Sequence, residues 1–534
     1  MNCQISGVDS SKLLARIIAS KEIDEEADFH PAHMNRAMRR NASRQLRIKE
    51  RHSFQDIRNI LCKLSGLKHD TAEYRSLIER LLLRPNFIIE FIRYSAHQIS
   101  EEILGSKELR ILCLRDPFTS FTRDRIITLE SLFLFLLCLA GGDLNREVYE
   151  FFKYKFEIPT ASAMVQRREL LLPEGEKYFF DRMTEILRDL FGDLSDDPKF
   201  PFDIYAADGT DINIALNPNS DTHVETSHSD GWNQYHLNLL YDIRRRLFVK
   251  GVIQPKHEIH ETRAIADMIR QTHFTRWSLL TGDRGYGSLN LFETVHRTPN
   301  LDYLIRVKED FINEIKNLPL GELDTDIQLH IITTQRKSDK ERIARGEAKY
   351  LSGVSKFGKY KKSQSWNYET EHDMTLRVVR FSLSSGNWET LITSLPRDKF
   401  PAEDLKEIYR FRWQIELSVR HLKYDTHLAQ MHCRLEPLAQ QEIWAKMTMH
   451  NIVSGVMYIA EKRDAEKPEK ETKHELKVNR RFAAHVITDC LKNETQNELD
   501  IVNEILRHKA PVRKGRSFKR DMKGIGFYSF LYRS

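Results

Sequence analysis

The sequence lacks the features that mark secreted and membrane proteins. Its six cysteines are scattered over 534 residues, with no pair at metal-ligand spacing. We therefore expect a reducing compartment, with neither a zinc site nor a disulfide framework. The first twenty residues lack a basic segment followed by an apolar run, so no signal peptide is expected. The longest apolar run, residues 131–140, is too short to span a bilayer and predicts a buried helix. These absences predict a cytoplasmic protein with no membrane partner.

The chain also lacks a large excess of charge of one sign. It has 83 basic and 77 acidic residues, a net charge of +6, so local clusters matter more than the sum. Basic clusters occur at residues 36–51 and in the tail at residues 507–523. The first cluster fits a DNA-contacting arm and a solvated helix face equally well.

The periodicity of the sequence divides the chain into five regions. A 40% hydrophobic and 30% charged composition is typical of soluble globular proteins, and this length favours several domains. We predict a basic N-terminal region (1–70), a helical domain (71–198), an α/β core (199–310 and 390–460), a β-rich insertion (311–389) and a basic helical C-terminal region and tail (461–534).

The predicted core begins where the helical period gives way to strand patterns. Residues 203–208 predict a short strand followed by a turn at Gly209-Thr210, and residues 235–243 and 247–254 predict a hairpin. The segments that follow are predicted as a helix (261–273), a strand (277–281), a helix (289–296) and a strand (301–307). The order β-β-β-α-β-α-β, an antiparallel trio followed by parallel strands, matches the ribonuclease H-like fold.

A single amphipathic helix is predicted to close this core. It begins at Pro401 and continues through residues 408–423, with further strands expected before it at residues 327–333, 376–383 and 391–395. Tyr409, Arg412, Glu416 and Lys423 share one face of that helix, beside an apolar stripe. By itself, such a face is also typical of a solvated helix surface.

Three acidic residues follow this framework. Asp208 and Asp283 each end a predicted strand, and Glu416 lies on the closing helix. Functional groups gather at strand ends in α/β sheets, and converging carboxylates need cations to neutralise them. Oxygen ligands suit Mg²⁺ or Mn²⁺, and two such ions about 3.5–4 Å apart promote phosphoryl transfer. Asp211 competes with Asp208, which we prefer because it ends the predicted strand. Each aspartate also fits a turn role.

These residues resemble a known family. The closing helix reads Tyr409-x2-Arg412-x3-Glu416-x6-Lys423, which resembles the Y-R-E-K signature of bacterial insertion-sequence DDE transposases of the cut-and-paste type. DGT at residues 208–210 and DRGY at residues 283–286 are similar to the first and second acidic motifs of that family. The resemblance spans residues 200–455, including a β-rich insertion between the second and third acids.

The resemblance implies DNA cleavage and strand transfer at the ends of an insertion sequence, including a hairpin intermediate. Asp208, Asp283 and Glu416 would bind two Mg²⁺ or Mn²⁺ ions. Tyr409, Arg412 and Lys423 would contact phosphates and an extruded base, and a tryptophan of the insertion would fill the gap that the base leaves. Trp388 is our candidate for that tryptophan and Trp366 the runner-up. The implied partners are double-stranded element ends, target DNA and a second copy of the chain in a synaptic homodimer.

Two alternatives remain open at this point. The first is an inactive or domesticated DNA-binding protein. The presence of all three acids makes this alternative less favoured. The second is a ribonuclease H-like DNA nuclease, which would need the acids but not Tyr409, Arg412 and Lys423.

Overall fold

The computed structural model describes residues 87–123, 125–153, 157–191, 199–225, 231–352, 366–383, 386–465, 474–492 and 500–512. The predicted basic region 1–70 and most of the basic tail lie outside these residues. Residues 353–365 of the predicted insertion also lie outside them.

The chain divides into two compact units. One comprises Met1–Ser195 and Leu422–Ser534, and the other is Asp196–His421. The five regions that the sequence predicts have finer boundaries than these two units, and those boundaries remain predictions.

The described residues include fifteen α-helices and twelve β-strands. The helices, in chain order, are α1 (Phe87–Gly105), α2 (Lys107–Cys113), α3 (Leu129–Cys138), α4 (Leu144–Phe152), α5 (Ala161–Arg168), α6 (Pro173–Phe191), α7 (Glu261–Arg270), α8 (Leu289–His296), α9 (Asn313–Lys316), α10 (Lys337–Ala344), α11 (Ala402–Arg410), α12 (Trp413–Tyr424), α13 (Glu436–Ala465), α14 (Arg480–Lys492) and α15 (Ile501–Arg507). The strands are β1 (Asp203–Ile214), β2 (His223–Val224), β3 (Trp232–Asp242), β4 (Leu247–Pro255), β5 (Ser278–Gly282), β6 (Leu301–Val307), β7 (Leu323–Ile332), β8 (Lys349–Tyr350), β9 (Glu371–Ser382), β10 (Trp388–Thr393), β11 (Leu476–Lys477) and β12 (Ala510–Pro511).

Helix α3 accounts for the longest apolar run of the sequence. Its N-terminus is fixed by a capping box, in which the Thr128 side chain accepts from Ser131 N and the Ser131 side chain accepts from Thr128 N. Nine of its ten residues are buried. The buried helix predicted at residues 131–140 is therefore present, and it begins and ends two residues earlier, at Leu129 and Cys138. Of the helices that the structure describes, none combines the length and apolar character needed to cross a bilayer.

Charged groups are buried beneath helix α13. Arg168 and Glu442 are each about 1% exposed, and their Nη2 and Oε1 atoms lie 3.0 Å apart. Arg168 also donates to the carbonyl of Leu438 at 3.0 Å, and Gln441 donates to the carbonyls of Arg168 and Leu171. This network joins the end of α5 to the first turns of α13.

The unit Asp196–His421 is built on one mixed sheet. Its strand order is β2-β3-β1-β5-β6-β10-β9-β7-β8, with β4 paired to β3. Strand β1 runs antiparallel to β3 and parallel to β5, and β5 runs parallel to β6. Helices α7 and α8 pack against the sheet, where their apolar residues join its buried core. The predicted α/β class is therefore confirmed, with a central mixed sheet.

Several predicted elements lie where the structure has them. Strands β3 and β4 form the predicted hairpin, with Asp242 opposite Leu247. Helix α8 and strand β6 have the predicted bounds. The strands predicted at residues 327–333, 376–383 and 391–395 correspond to β7, β9 and β10. These three strands extend the central sheet beyond β6.

The predicted turn at Gly209-Thr210 is wrong. Strand β1 continues to Ile214, with Gly209 opposite Asn238 and Thr210 opposite Leu237. The antiparallel ladder to β3 supplies the backbone hydrogen bonds that a turn would otherwise need, so pairing overrides the turn propensity of the local sequence.

The prediction of a single closing helix is also wrong, because the chain forms two helices between Pro401 and residue 424. Helix α11 ends at Arg410 and α12 begins at Trp413. Between them, Phe411 N donates to Ile408 O at 3.0 Å and Arg412 N to Tyr409 O at 3.1 Å. These bonds span three residues rather than four, so a tight 3₁₀-type turn interrupts the α-helical period.

Candidate active site

Asp208 lies where strand β1 loses one of its two neighbours. The parallel ladder between β1 and β5 ends at the pair Ala207–Gly282, whereas the ladder to β3 continues and places Asp208 opposite Leu239. The side chain is half-buried, and its Oδ1 accepts from Gly209 N at 2.9 Å. Asp208 therefore sits at the end of the parallel pairing although its own strand continues.

Asp283 follows the last residue of β5 and is held by a local turn. Its Oδ1 accepts from Gly285 N at 2.7 Å, and its carbonyl accepts from Tyr286 N at 3.0 Å. Because Gly282 is paired with Ala207, Asp208 and Asp283 each come directly after the last pair of the same parallel ladder.

The turn between α11 and α12 brings three of the predicted residues to these aspartates. Tyr409 is 7% exposed, and its hydroxyl donates to the carbonyl of Gly282 at 3.4 Å. Arg412 Nη2 donates to Glu416 Oε1 at 2.6 Å, and its guanidinium lies 5.6 Å from the centre of the Tyr409 ring. The Nε atom of Arg412 is buried with no hydrogen-bond partner.

The charges of these residues act on one another. The pKa of Asp208 is raised from 3.8 to about 6, mainly by burial and further by the negative charges of Asp283 and Glu416, whereas the Gly209 N–H and Arg412 lower it. Burial lowers the pKa of Arg412, but Tyr409, Glu416 and Asp283 outweigh that effect and raise it. The Arg412 guanidinium thus offsets part of the repulsion that Asp208 experiences from Asp283 and Glu416.

Asp211, the competitor of Asp208, belongs to a different cluster. Its Oδ1 lies 2.7 Å from His236 Nδ1, and its Oδ2 accepts from Lys256. Burial opposes ionisation of Asp211, but the hydrogen bonds from His236 and Lys256 prevail and lower its pKa. These partners already neutralise Asp211, which favours Asp208 as the site carboxylate.

Asp208 and Asp283 line a cleft of about 260 Å³. The other residues that line it are Glu261, Arg284, Gly285, Tyr286 and Lys308. Glu261, Tyr286 and Lys308 are not among the residues that the sequence predicts for the site, although Tyr286 closes the DRGY motif. Glu261 begins helix α7, and only the fold reveals that this helix N-terminus approaches the two aspartates.

Of the predicted site residues, only Asp208 and Asp283 line the cleft; Tyr409, Arg412, Glu416, Lys423 and the two tryptophans do not. Lys423 is on α12, seven residues after Glu416, and is half-buried. Trp388 is half-buried and begins strand β10, next to Glu389, which forms an ion pair with Arg306 at 3.1 Å. The runner-up Trp366 is 2% exposed in the core, and its Nε1 donates to the carbonyl of Glu369 at 2.7 Å.

The carboxylates do not form a closed metal site as they stand. Among the residues that the structure describes, no three His, Cys, Asp or Glu side chains are close enough together to hold an ion. The hydrogen bond between Glu416 and Arg412 gives a physical reason, since it holds one carboxylate against a cation. The donor set itself, carboxylate oxygens without sulfur, is the kind that Mg²⁺ and Mn²⁺ prefer.

The segment of the chain that contains these residues is similar to known proteins. Residues 199–452 match the family described as Transposase DDE domain. The matched segment is just under half of the chain, and it contains Asp208, Asp283 and the residues from Tyr409 to Lys423.

Curated relatives match over a shorter stretch. The chain is 34% identical over 82 residues to the transposase for insertion sequence element IS421 of Escherichia coli, covering 15% of this chain and 22% of that protein. The InsL protein of insertion sequence element IS186A in Escherichia coli K12 gives the same values. The chain thus spans about a fifth of the length of the curated relatives it matches. A cryo-EM structure of the piggyBac transposase synaptic complex with hairpin DNA is similar with a TM-score of 0.37 and 10% identity, over 82% of each chain.

Any side chain at position 209 is expected to destabilise the protein. A Cβ atom there would lie 2.4 Å from Nε2 of His236, whose ring is 6% exposed and held by Asp211. Because this ring has little room to move, Gly209→Ala should lower the free energy of unfolding by about 1–3 kcal/mol. Urea denaturation followed by circular dichroism measures the change.

Gly105 provides the matched control for this prediction. A Cβ there meets nothing within 4 Å at the end of helix α1. Gly105→Ala should therefore leave stability unchanged or raise it by less than about 1 kcal/mol. Equal stabilities of Gly209→Ala and the wild type would contradict the predicted clash.

Proposed function

We propose that this chain is a DDE transposase that cuts DNA at the ends of an insertion sequence and joins those ends to target DNA. The observation that carries the proposal is the electrostatic coupling of Asp208, Asp283 and Glu416 around Arg412. All four residues lie within the segment that matches the transposase DDE domain family.

The sheet supports a ribonuclease H-like core as part of this proposal. Strands β4, β3 and β1 form an antiparallel trio, and β5 and β6 follow in parallel with helices α7 and α8 along the chain. This is the strand order expected for that fold from the sequence. Tyr409, Arg412, Glu416 and Lys423 would then be the Y-R-E-K residues of an insertion-sequence transposase.

Asp208, Asp283 and Glu416 would bind two Mg²⁺ or Mn²⁺ ions. Their oxygen donors fit such ions, and the pKa of Asp208 is raised mainly by burial and further by the negative charges of Asp283 and Glu416, which a bound cation would offset. Oε1 of Glu416 accepts from Arg412, so Arg412 would compete with an ion for this carboxylate. When bound, the ions would activate the attacking oxygen and stabilise the leaving oxygen in an in-line displacement at phosphorus.

The side chains around the acids would hold the DNA. Arg412 has a buried Nε without a hydrogen-bond partner and would donate to phosphate oxygens, as a planar guanidinium does well. Tyr409 would support it through their ring contact. Lys423 would add a point charge, and Trp388 would stack in the gap left by an extruded base.

Labelled duplexes that carry the genomic flanks of the coding sequence test this function. The purified protein is incubated with them in Mg²⁺ or in EDTA, and the products are resolved on denaturing gels. Metal-dependent nicks at the ends, followed by joining to a target plasmid, are the expected result. Retarded DNA without cleavage would favour an inactive binding protein, and no binding at all would refute the proposal. Size determination of the DNA complex tests the synaptic homodimer.

Arg412→Ala distinguishes a transposase from a ribonuclease H-like nuclease. Hydrogen bonds to charged groups contribute about 1.5–3 kcal/mol each, so we expect end cleavage to fall about 10- to 150-fold. Arg410→Ala is the matched control, because this arginine is exposed on the neighbouring helix. Cleavage by Arg412→Ala at the wild-type rate would favour the nuclease.

A further inference from the structure

Glu261 is an acidic residue of the cleft to which the proposed mechanism gives no role. It is the first residue of helix α7 and lines the same cleft as Asp208 and Asp283. Its side chain is 35% exposed, so the carboxylate is reachable from solvent without being a free surface group.

The two oxygens of Glu261 lie near glycines that follow Asp208 and Asp283 in the chain. Its Oε1 lies 3.1 Å from the position of a Cβ on Gly209, the residue after Asp208. Its Oε2 lies 3.4 Å from the position of a Cβ on Gly285, where Asp283 Oδ1 lies at 3.1 Å. A side chain at position 285 would therefore contact the carboxylates of both Asp283 and Glu261, and glycine there avoids that contact.

A residue with a buried hydroxyl group, Tyr286, also lines this cleft. Tyr286 is 2% exposed, and its hydroxyl has no hydrogen-bond partner. Burial raises its pKa well above the ordinary value, and the negative charges of Glu261, Asp208 and Asp283 raise it further. A buried hydroxyl without a partner carries a free-energy cost that a ligand in the cleft would remove.

Two structural roles for Glu261 account for only part of this arrangement. Its Oε1 lies 3.2 Å from Nε2 of His236, and an acidic residue in the first turn stabilises a helix by about 0.3–1 kcal/mol. Neither role involves Oε2, which faces Gly285 and Asp283.

We propose that Glu261 is a fourth carboxylate of the ion-binding site, acting with Asp208 and Asp283 on a divalent cation. The inference rests on the proposed function, because it requires an ion between the aspartates. It adds a ligand, direct or through water, from a helix that lies far in sequence from Glu416.

Binding of Mn²⁺ to the full-length protein without DNA tests the inference. Free Mn²⁺ is followed by electron paramagnetic resonance during titration of the wild type and of Glu261→Gln. Loss of a ligand or of a group that orients one typically weakens metal binding by about 10- to 100-fold, and we expect a change in that range. Glu261→Asp keeps the negative charge, so its affinity for Mn²⁺ should lie between those of the wild type and Glu261→Gln. This intermediate affinity separates an effect on the ion from a folding defect.

Two further variants exclude a merely structural role. Glu258→Gln removes an acid that is 61% exposed just before helix α7, and it should bind Mn²⁺ within about twofold of the wild type. His236→Gln removes the partner of Oε1 and should also leave Mn²⁺ binding largely intact. An equal loss of affinity in His236→Gln and Glu261→Gln would overturn the inference.

Asp208→Asn separates the inference from the function on which it rests. Weaker Mn²⁺ binding in Asp208→Asn with wild-type binding in Glu261→Gln would overturn the role of Glu261 and leave the proposed function standing. Failure of the wild type to bind Mn²⁺ would overturn the inference, while metal-dependent cleavage of labelled ends would still decide the proposed function.

Discussion

Glutamine in place of Glu416 is expected to reduce DNA end cleavage by about 10³-fold, equivalent to about 4 kcal/mol of activation free energy. Bound ions contribute several kcal/mol to phosphoryl transfer, and Gln is a weaker ligand because it is neutral. The substitution preserves the size of the side chain, and its amide oxygen still accepts from Arg412. Initial cleavage rates on labelled ends measure the effect.

Glu403→Gln is the matched control for this substitution. Glu403 lies on α11, is exposed, and is an acid of the same type in the same unit. Its variant should cleave at the wild-type rate. Cleavage by Glu416→Gln within tenfold of the wild type would refute the assignment of Glu416.

Loss of any one of the three acids should abolish most of the cleavage activity. Asp208→Asn and Asp283→Asn are each expected to lose about as much activity as Glu416→Gln. Residues that act together are strongly non-additive, so a double variant should be little worse than either single variant. A double variant whose loss of activity equals the product of the two single losses would indicate that the acids contribute independently.

The second large effect concerns stability. Arg168→Met is expected to lower the free energy of unfolding by about 3–5 kcal/mol, because it leaves Glu442 charged and buried without its guanidinium. Glu442 is about 1% exposed, and its pKa is about 2, since burial is outweighed by Arg168 and His432. Urea denaturation followed by circular dichroism measures the loss.

A compensating change and a surface control accompany this prediction. The double variant Arg168→Met with Glu442→Leu removes both charges and should recover most of the stability. Arg115→Met breaks an exposed pair with Glu169 at 3.6 Å and should cost less than about 1 kcal/mol. A loss in Arg168→Met no larger than that in Arg115→Met would contradict the predicted cost of an unpaired buried charge.

The sequence predicts those elements whose pattern is set by local periodicity. The hairpin of β3 and β4, helix α8 and strand β6 alternate or repeat strongly, and each lies where the pattern indicates. Strand ends and a helical spacing predict Asp208, Asp283 and Glu416 as site residues, and in the structure the charges of Asp283 and Glu416 act on Asp208.

The failures have a physical cause in long-range pairing. The dipeptide Asp208-Gly209 favours a turn, but the ladder to β3 holds it extended. Nothing in the amphipathic pattern around Arg412 marks the 3₁₀-type turn, because Phe411 still satisfies the apolar stripe while hydrogen bonds three residues apart satisfy the backbone. The place of Glu261 depends on how α7 approaches the sheet, which no local pattern encodes.

The continued pairing of β1 divides the site into a fixed part and an adjustable part. The backbone of Asp208 is held in register with Leu239, so its carboxylate has a rigid base and few torsions. Glu416 has a longer side chain that is 34% exposed, and a single hydrogen-bonded cation holds it in its present orientation. If the distance between the acids changes during a reaction cycle, we therefore expect the Glu416 side chain on α12 to move and Asp208 on β1 to stay in place.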